Sequence, residues 1–180
     1  MTRFGYAVTT CLSVLAIGGL SPLSVTPRLL WNATASAPVG LYALRPDVTP
    51  ALGDLVAVQP TEPLAAFLDQ GGYLPHGVPL LKRMAALPGQ TVCRTGVTVT
   101  IDGTTAATAR HHDRLGRPLP TWSGCLTLRP GDVFLLNRHP DSLDGRYFGP
   151  VPAATLLGRA QPLLTDQAGD GAFHGQAAAH

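Results

Sequence analysis

The chain has 180 residues, enough for one globular domain with its own core and a short appendage. Charged residues make up 13% of it against 45% hydrophobic, about half the charge usual in a soluble domain, so part of the chain is expected not to face water. The net charge of +2 is small and scattered, which excludes the basic footprint of a nucleic-acid-binding protein.

No charged residue lies between Arg3 and Arg28, and residues 4–25 are apolar or small. Roughly 20 such residues suffice to cross the hydrocarbon core of a bilayer. Residues 1–30 are therefore expected to form an uncleaved N-terminal transmembrane anchor, with Arg3 on the inner side. A cleaved signal peptide is the alternative, but no clear small-x-small site precedes Ser24 and the run exceeds an ordinary signal core. Gly18, Gly19, Pro22 and Pro27 should weaken the helix at its outer end. Either way, the chain beyond residue 30 is expected to be exported.

The rest of the chain punctuates itself with 20 Gly and 17 Pro, which favours strands and turns over long helices. Residues 32–42 are rich in small residues and carry Pro38 and Gly40, which reads as an ordered turn. Gly53-Asp54 turns into a short strand over 55–58. Residues 60–79 form a surface excursion, with one or two helical turns over 64–70. Apolar character returns over 79–87, and Pro88-Gly89 turns the chain. Strands are expected at 92–93 and 97–101, the latter ending on the hairpin signal Asp102-Gly103. Residues 126–128 and 133–136 are expected to pair with each other across Pro130-Gly131-Asp132. Residues 154–160 should close the sheet. The predicted organisation is a mostly β catalytic domain over 31–165, an anchor over 1–30 and a flexible tail over 166–180.

Cys11 lies in the apolar run and reads as a small apolar side chain. Cys93 and Cys125 fall in the exported part, where a disulfide between them is the expectation and two free buried thiols the alternative. Neither belongs to a C-x-x-C pair, so no zinc pattern is present. His111-His112-Asp113 reads as an exposed loop rather than a metal site, and no cofactor is expected. A Ser-His-Asp triad through His139 would need a geometry that sequence cannot show, and no Gly-x-Ser-x-Gly elbow surrounds any serine.

A serine with a lysine is the stronger candidate. Residues 32–180 contain one lysine, Lys82, and it lies within Val78-Pro79-Leu80-Leu81-Lys82-Arg83-Met84-Ala85-Ala86-Leu87. A serine hydroxyl attacks well only when a base removes its proton, and a lysine serves as that base only when burial keeps it neutral.

Several ordered blocks resemble the type I signal peptidases, and most closely the TraF-type conjugative-transfer peptidases. Thr34-Ala35-Ser36-Ala37-Pro38-Val39-Gly40-Leu41-Tyr42 resembles their nucleophile block. Gly53-Asp54-Leu55-Val56-Ala57-Val58 is similar to their Gly-Asp strand. Lys82-Arg83-Met84-Ala85-Ala86-Leu87-Pro88-Gly89 is similar to their general-base block. Gly131-Asp132 through Asn137, then Asp141-Ser142-Leu143-Asp144-Gly145-Arg146-Tyr147-Phe148-Gly149, resembles their closing block. The resemblance covers residues 32–160 in the same order, together with the preceding anchor.

That resemblance implies a signal-peptidase-like β-rich fold, Ser36 as nucleophile and Lys82 as general base. It implies an oxyanion hole from Thr34 and the Ser36 backbone N–H, Ser142 orienting the lysine, and Asp144 and Arg146 bracing the loop. In the TraF branch the aspartate is tied more directly to activity, so Asp144 is counted as catalytic with Ser36 and Lys82. Ala37, Pro38 and Gly145 depart from the leader-peptidase pattern, which has Met directly after the nucleophile, Pro at the third position after it rather than the second, and a serine in place of Gly145. These departures favour the TraF branch.

The implied activity is that of a membrane-bound serine endopeptidase in the bacterial inner membrane, facing the periplasm. Its implied partners are a pilin precursor or other preprotein, the membrane and a conjugative transfer apparatus, with hydrolysis and cyclisation both open. The alternatives are a general type I signal peptidase and a non-enzymatic exported component of pilus assembly.

Overall fold

Leu55-Val56-Ala57-Val58 is apolar at every position, and a strand of that pattern needs cover on both of its faces. The computed structural model, which describes residues 3–20 and 28–175 (side chains of 16–20 excepted), supplies it. The elements are α1 (Arg3–Leu20), β1 (Leu29–Asn32), β2 (Val39–Arg45), β3 (Leu55–Val58), α2 (Glu62–Gln70), β4 (Leu80–Ala86) and β5 (Thr91–Thr95). Then come β6 (Thr98–Ile101), β7 (Thr104–Thr108), β8 (Gly124–Thr127), β9 (Asp132–Leu136), α3 (Gly145–Phe148), β10 (Val151–Pro152), β11 (Leu156–Asp166) and β12 (His174–Gly175). The larger sheet runs β1-β2-β11-β3-β4-β9-β10, with β12 pairing to the end of β11. The smaller runs β7-β6-β5-β8.

Val56 and Val58 pack on one face of the large sheet with Leu68 of α2, Leu80, Met84 and Leu135. Leu55 and Ala57 pack on the other with Tyr42, Leu44, Leu81 and Ala160. A third cluster of Val92, Val99, Leu128, Phe134 and Leu136 joins the two sheets. The mostly β expectation agrees with this architecture.

Several local expectations meet a different outcome. Residues 126–128 and 133–136 do not pair with each other: β8 lies against β5 in the small sheet, and β9 lies between β4 and β10 in the large one. Between them, Gly131 at φ 91° lets the chain turn from one sheet to the other. The segment at 154–160 is not a closing edge; it begins β11, which sits centrally between β2 and β3. The chain also stays with the sheet beyond 165. Asp166 accepts backbone N–H groups of Gly169, Asp170 and Gly171, and β12 pairs with Leu164 and Thr165.

The Asp102-Gly103 hairpin is present, with both residues at positive φ, 48° and 78°. Cys93 and Cys125 stand directly opposite on β5 and β8 and are joined as a disulfide. Among the described residues, no helix is long and apolar enough to cross a membrane. Pro22, Pro27 and residues 176–180 lie outside the described residues.

Gly40 is a strand residue rather than part of a turn. It lies in β2 opposite Thr165, at φ 146°, and a Cβ placed there would fall 2.2 Å from the Leu164 carbonyl oxygen. The close approach of β11 to β2 therefore requires glycine. Gly40→Ala is expected to lower stability by about 2 kcal/mol or more. A drop in the denaturant midpoint with unchanged slope would show it; an unchanged midpoint would contradict the close approach.

Candidate active site

Ser36 sits in the loop that joins β1 to β2, and one side chain shapes that loop. Asn32, buried at the end of β1, donates from Nδ2 to the carbonyls of Thr34, Ala37 and Pro38 at 2.8, 3.0 and 3.0 Å. Its Oδ1 accepts from the Thr34 backbone N–H at 3.1 Å and from the Thr34 hydroxyl at 2.9 Å. An asparagine that takes up local backbone groups in this way sets a turn where no regular ladder can. The Tyr42 hydroxyl donates to the Pro38 carbonyl at 2.6 Å. Burial pushes that phenol up to about 12, against the opposing effect of Arg83, so it remains a neutral donor. The outcome is a half-buried Ser36 whose Oγ lies 3.3 Å from the Thr34 Oγ1.

Lys82 comes from β4. Strand alternation places it on the same face as Leu80 and Met84, both buried, and opposite Val56 of β3. It is 2% exposed, and its Nζ donates to Ser142 Oγ at 2.8 Å. Burial holds its pKa at about 8, down from the usual 10.5; Asp144 pulls the other way and Arg146 opposes Asp144. Ser36, Thr34, Lys82 and Ser142 line one cavity of about 480 Å³. Its apolar wall is formed by Leu30, Leu74, Val78, Leu119 and Leu143. Thus the structure brings the nucleophile candidate and the base candidate to one chamber. In the resting arrangement they do not bond to each other: Ser36 leans on Thr34, and Lys82 on Ser142.

Asp144 and Arg146 stand behind this chamber rather than on its wall. Both are buried, at 0% and 3% exposure, and they pair at 2.8 Å. The Asp144 carboxylate accepts from the Arg146 side chain and backbone and from the Asn137 N–H at 2.9 Å. Asp144, expected to be catalytic, is not on the cavity wall, and its oxygens are occupied by Arg146 and Asn137. Thr34 is beside Ser36 as an oxyanion donor should be, but its hydroxyl proton is directed to Asn32.

Three contributors have no clear signature in the sequence. Asn137 holds both neighbours of Lys82, accepting from the Arg83 N–H at 3.1 Å and donating to the Leu81 carbonyl at 3.0 Å. Its own carbonyl accepts from Arg146 at 2.6 Å. Arg94, fully buried on β5, donates to the Arg146 carbonyl at 2.5 Å and so ties the small sheet to the catalytic loop. Asn32 is the third. The alternation Val92-Cys93-Arg94 is the available signal for Arg94, since it puts the arginine on the buried face of its strand. The two asparagines have only their turn propensity, which is not specific.

The other candidates assemble differently. His139 accepts the Asp141 N–H on Nδ1 at 3.2 Å, and the Asp141 carboxylate is taken up by Arg110 and Arg114. Among the described residues no carboxylate orients His139, as a triad would need. Asp113, next to the histidine pair, is bound by Arg117 and by the Tyr73 hydroxyl and braces the rim of the cavity.

A serine and a buried lysine thus line one cavity on a mostly β frame. The family model described as signal peptidase, peptidase S26, matches residues 1–164, and the chain belongs to that family. It is similar to the conjugal transfer protein TraF of Agrobacterium fabrum, 36% identical over 84% of this chain and 90% of the relative. It is also similar to a probable conjugal transfer protein TraF of Sinorhizobium fredii, 39% identical over 74% of this chain and 76% of the relative. A solved signal peptidase I from Enterococcus faecalis aligns with a TM-score of 0.38 at 24% identity, covering 62% of this chain and 97% of that one.

Keeping Lys82 dry has a cost. Between about pH 8 and 10.5 the unfolded chain holds a proton on this amine that the folded chain has released, so this contribution to stability rises with pH across that window. At pH 7 the depression costs about 3 kcal/mol. Lys82→Met is expected to stabilise the fold at pH 7 by about 1–3 kcal/mol, with a gap that narrows toward pH 10. Melting temperatures across that pH range measure it; a destabilised variant at pH 7 would mean that the amine is not strained by burial.

Proposed function

We propose that this chain is a membrane-bound Ser–Lys endopeptidase that processes an exported precursor of conjugative transfer, the pilin precursor. The observation that carries this reading is the buried Lys82 amine, whose pKa desolvation lowers to about 8 and which shares a cavity with Ser36. At pH 7 about a tenth of a group with pKa about 8 is unprotonated, and a substrate that expels water from the cavity raises that share.

The neutral amine of Lys82 takes the Ser36 proton once both side chains turn from their resting partners toward each other. Ser36 Oγ attacks the scissile carbonyl, and the Ser36 backbone N–H, with the Thr34 hydroxyl turned from Asn32, steadies the oxyanion. The lysine ammonium then protonates the departing amine, and an acyl-enzyme remains. Water resolves it to a cleaved product, or an amine of the same substrate resolves it to a ring.

Anchoring and export are part of the same reading. The uncharged stretch between Arg3 and Arg28 and the exposed Phe4, Tyr6, Leu12, Val14 and Leu15 of α1 support an anchor. Trp31, Leu41 and Leu164 stand abreast on β1, β2 and β11, and Trp31 packs at 5.8 Å on Phe173. Exposed aromatics beside the nucleophile loop suit a face lying at the bilayer surface, on the periplasmic side of the inner membrane. The conjugal transfer names of the relatives support a role in conjugative transfer, and the pilin precursor is the substrate proposed within that role.

Coexpression with the pilin precursor tests the reading by intact mass. Wild type should shorten the precursor, while Ser36→Ala and Lys82→Ala leave it whole. Unchanged precursor in all three would reject the substrate, and processing by Lys82→Ala would reject the base. A serine-directed covalent probe should label wild type and not Ser36→Ala, at a rate that climbs with pH through about 8.

A further inference from the structure

Neighbouring residues of β4 point to opposite faces of the sheet, so Lys82 and Arg83 serve different spaces. Lys82 lines the apolar cavity. Arg83 lines a second cavity, of about 550 Å³, and Ser36 borders both. A peptide whose scissile carbonyl rests on Ser36 thus has a chamber on either side of its cut.

The two chambers differ in chemistry. On the first, apart from the Lys82 amine, the charged groups are paired: Arg110 and Arg114 with Asp141, and Asp113 with Arg117, which lies outside the lining. The second has the small residues Ala35 and Ala37 beside Ser36, then Arg83, Arg138 and His139. One carboxylate lines it, Asp166, but that group is bound by the N–H groups of Gly169, Asp170 and Gly171 at 2.6, 3.2 and 2.9 Å. It is therefore committed to the loop after β11. Arg83 donates to the Gly53 carbonyl at 3.0 Å, and among the described residues neither Arg83 nor Arg138 pairs with a carboxylate. His139 accepts on Nδ1, which leaves Nε2 as a donor.

We propose that the second cavity is a subsite for an acidic substrate residue, aspartate or glutamate, lying within about three residues of the scissile bond, a reach of about 10 Å for extended chain. Arg138 and His139 donate to its carboxylate, with Arg83 adding positive charge. The opposite side of the substrate is apolar and occupies the first cavity. This inference rests on the peptidase reading for its substrate, and deepens it.

The test uses short alanine-rich peptides with a single Glu, Gln or Lys at successive positions on either side of a central Ala-Ala bond. The full chain in detergent micelles is assayed in two ways: cleavage by mass spectrometry, and binding to Ser36→Ala by fluorescence anisotropy. On one side of the bond, Glu should exceed Gln by about tenfold in kcat/KM and in affinity, and Lys should be worst. Arg138→Glu should reverse the order and gain on the Lys peptide, a gain that misfolding cannot produce; Arg138→Gln should flatten it. Cleavage without any Glu preference, or a preference that Arg138→Glu leaves intact, overturns the subsite while the peptidase reading stands. Selective binding of Glu peptides without cleavage of any peptide leaves the subsite standing and sinks the peptidase reading. Neither cleavage nor selective binding overturns both.

Discussion

The site depends on one amine kept out of water. Lys82 is surrounded by Leu80, Met84 and Val56, and the resulting desolvation does the chemical tuning. A single fixed charge nearby would undo it: a lone carboxylate would hold the proton on, and a lone guanidinium would drive the base too weak. Asp144 raises the Lys82 pKa and Arg146 lowers it, so the closely paired groups act on the amine in opposite senses. Buried ion pairs contribute little net stability. This one contributes geometry, holding the loop that carries Ser142 against the lysine.

The same constraint explains why two amides do so much of the bracing. Asn32 holds the nucleophile loop and Asn137 holds the two neighbours of Lys82, each as donor and acceptor together. An aspartate or lysine in either place would add a charge to a region where neutrality of one amine is required. An amide supplies comparable directional bonds at no electrostatic cost to that amine. Tyr42 fits the pattern from further away, kept neutral by burial.

How legible each feature is in the sequence depends on how local its signal is. The apolar run around Lys82 reveals its burial, because strand alternation needs only adjacent residues. The Asp102-Gly103 hairpin is legible for the same reason, as are α2 and the strands β3, β5, β6, β8, β9 and the start of β11. Pairing of β8 with β5 is not, because a turn at Pro130-Gly131 is equally compatible with a hairpin and with a change of sheet. The burial of Arg94 is a tertiary fact of the same kind, whereas the Cys93–Cys125 disulfide is expected from the exported placement of the two cysteines. Gly40 looks like a turn residue because sequence shows that a glycine is present, and only β11 shows why. Ser36, Lys82, Thr34 and Ser142 stand out through their motif blocks. The two asparagines that position them do not, since an amide's partners are carbonyls and N–H groups that any residue carries.

Gly145 shows how a departure from a family pattern can be a packing event rather than a chemical loss. A Cβ at this position would lie 2.7 Å from the Leu135 carbonyl and 2.7 Å from the ring of Phe134. Phe134 fills the third core cluster and packs edge-on against Trp122, whose indole N–H in turn bonds the Gly145 carbonyl at 3.0 Å. Space that a serine side chain would need is therefore already occupied by an aromatic ring from β9. Orientation of Lys82 falls to the Ser142 hydroxyl, three residues earlier, which stays in place. The glycine and the phenylalanine belong together, and the hydroxyl that matters to the amine is not the one the sequence lacks.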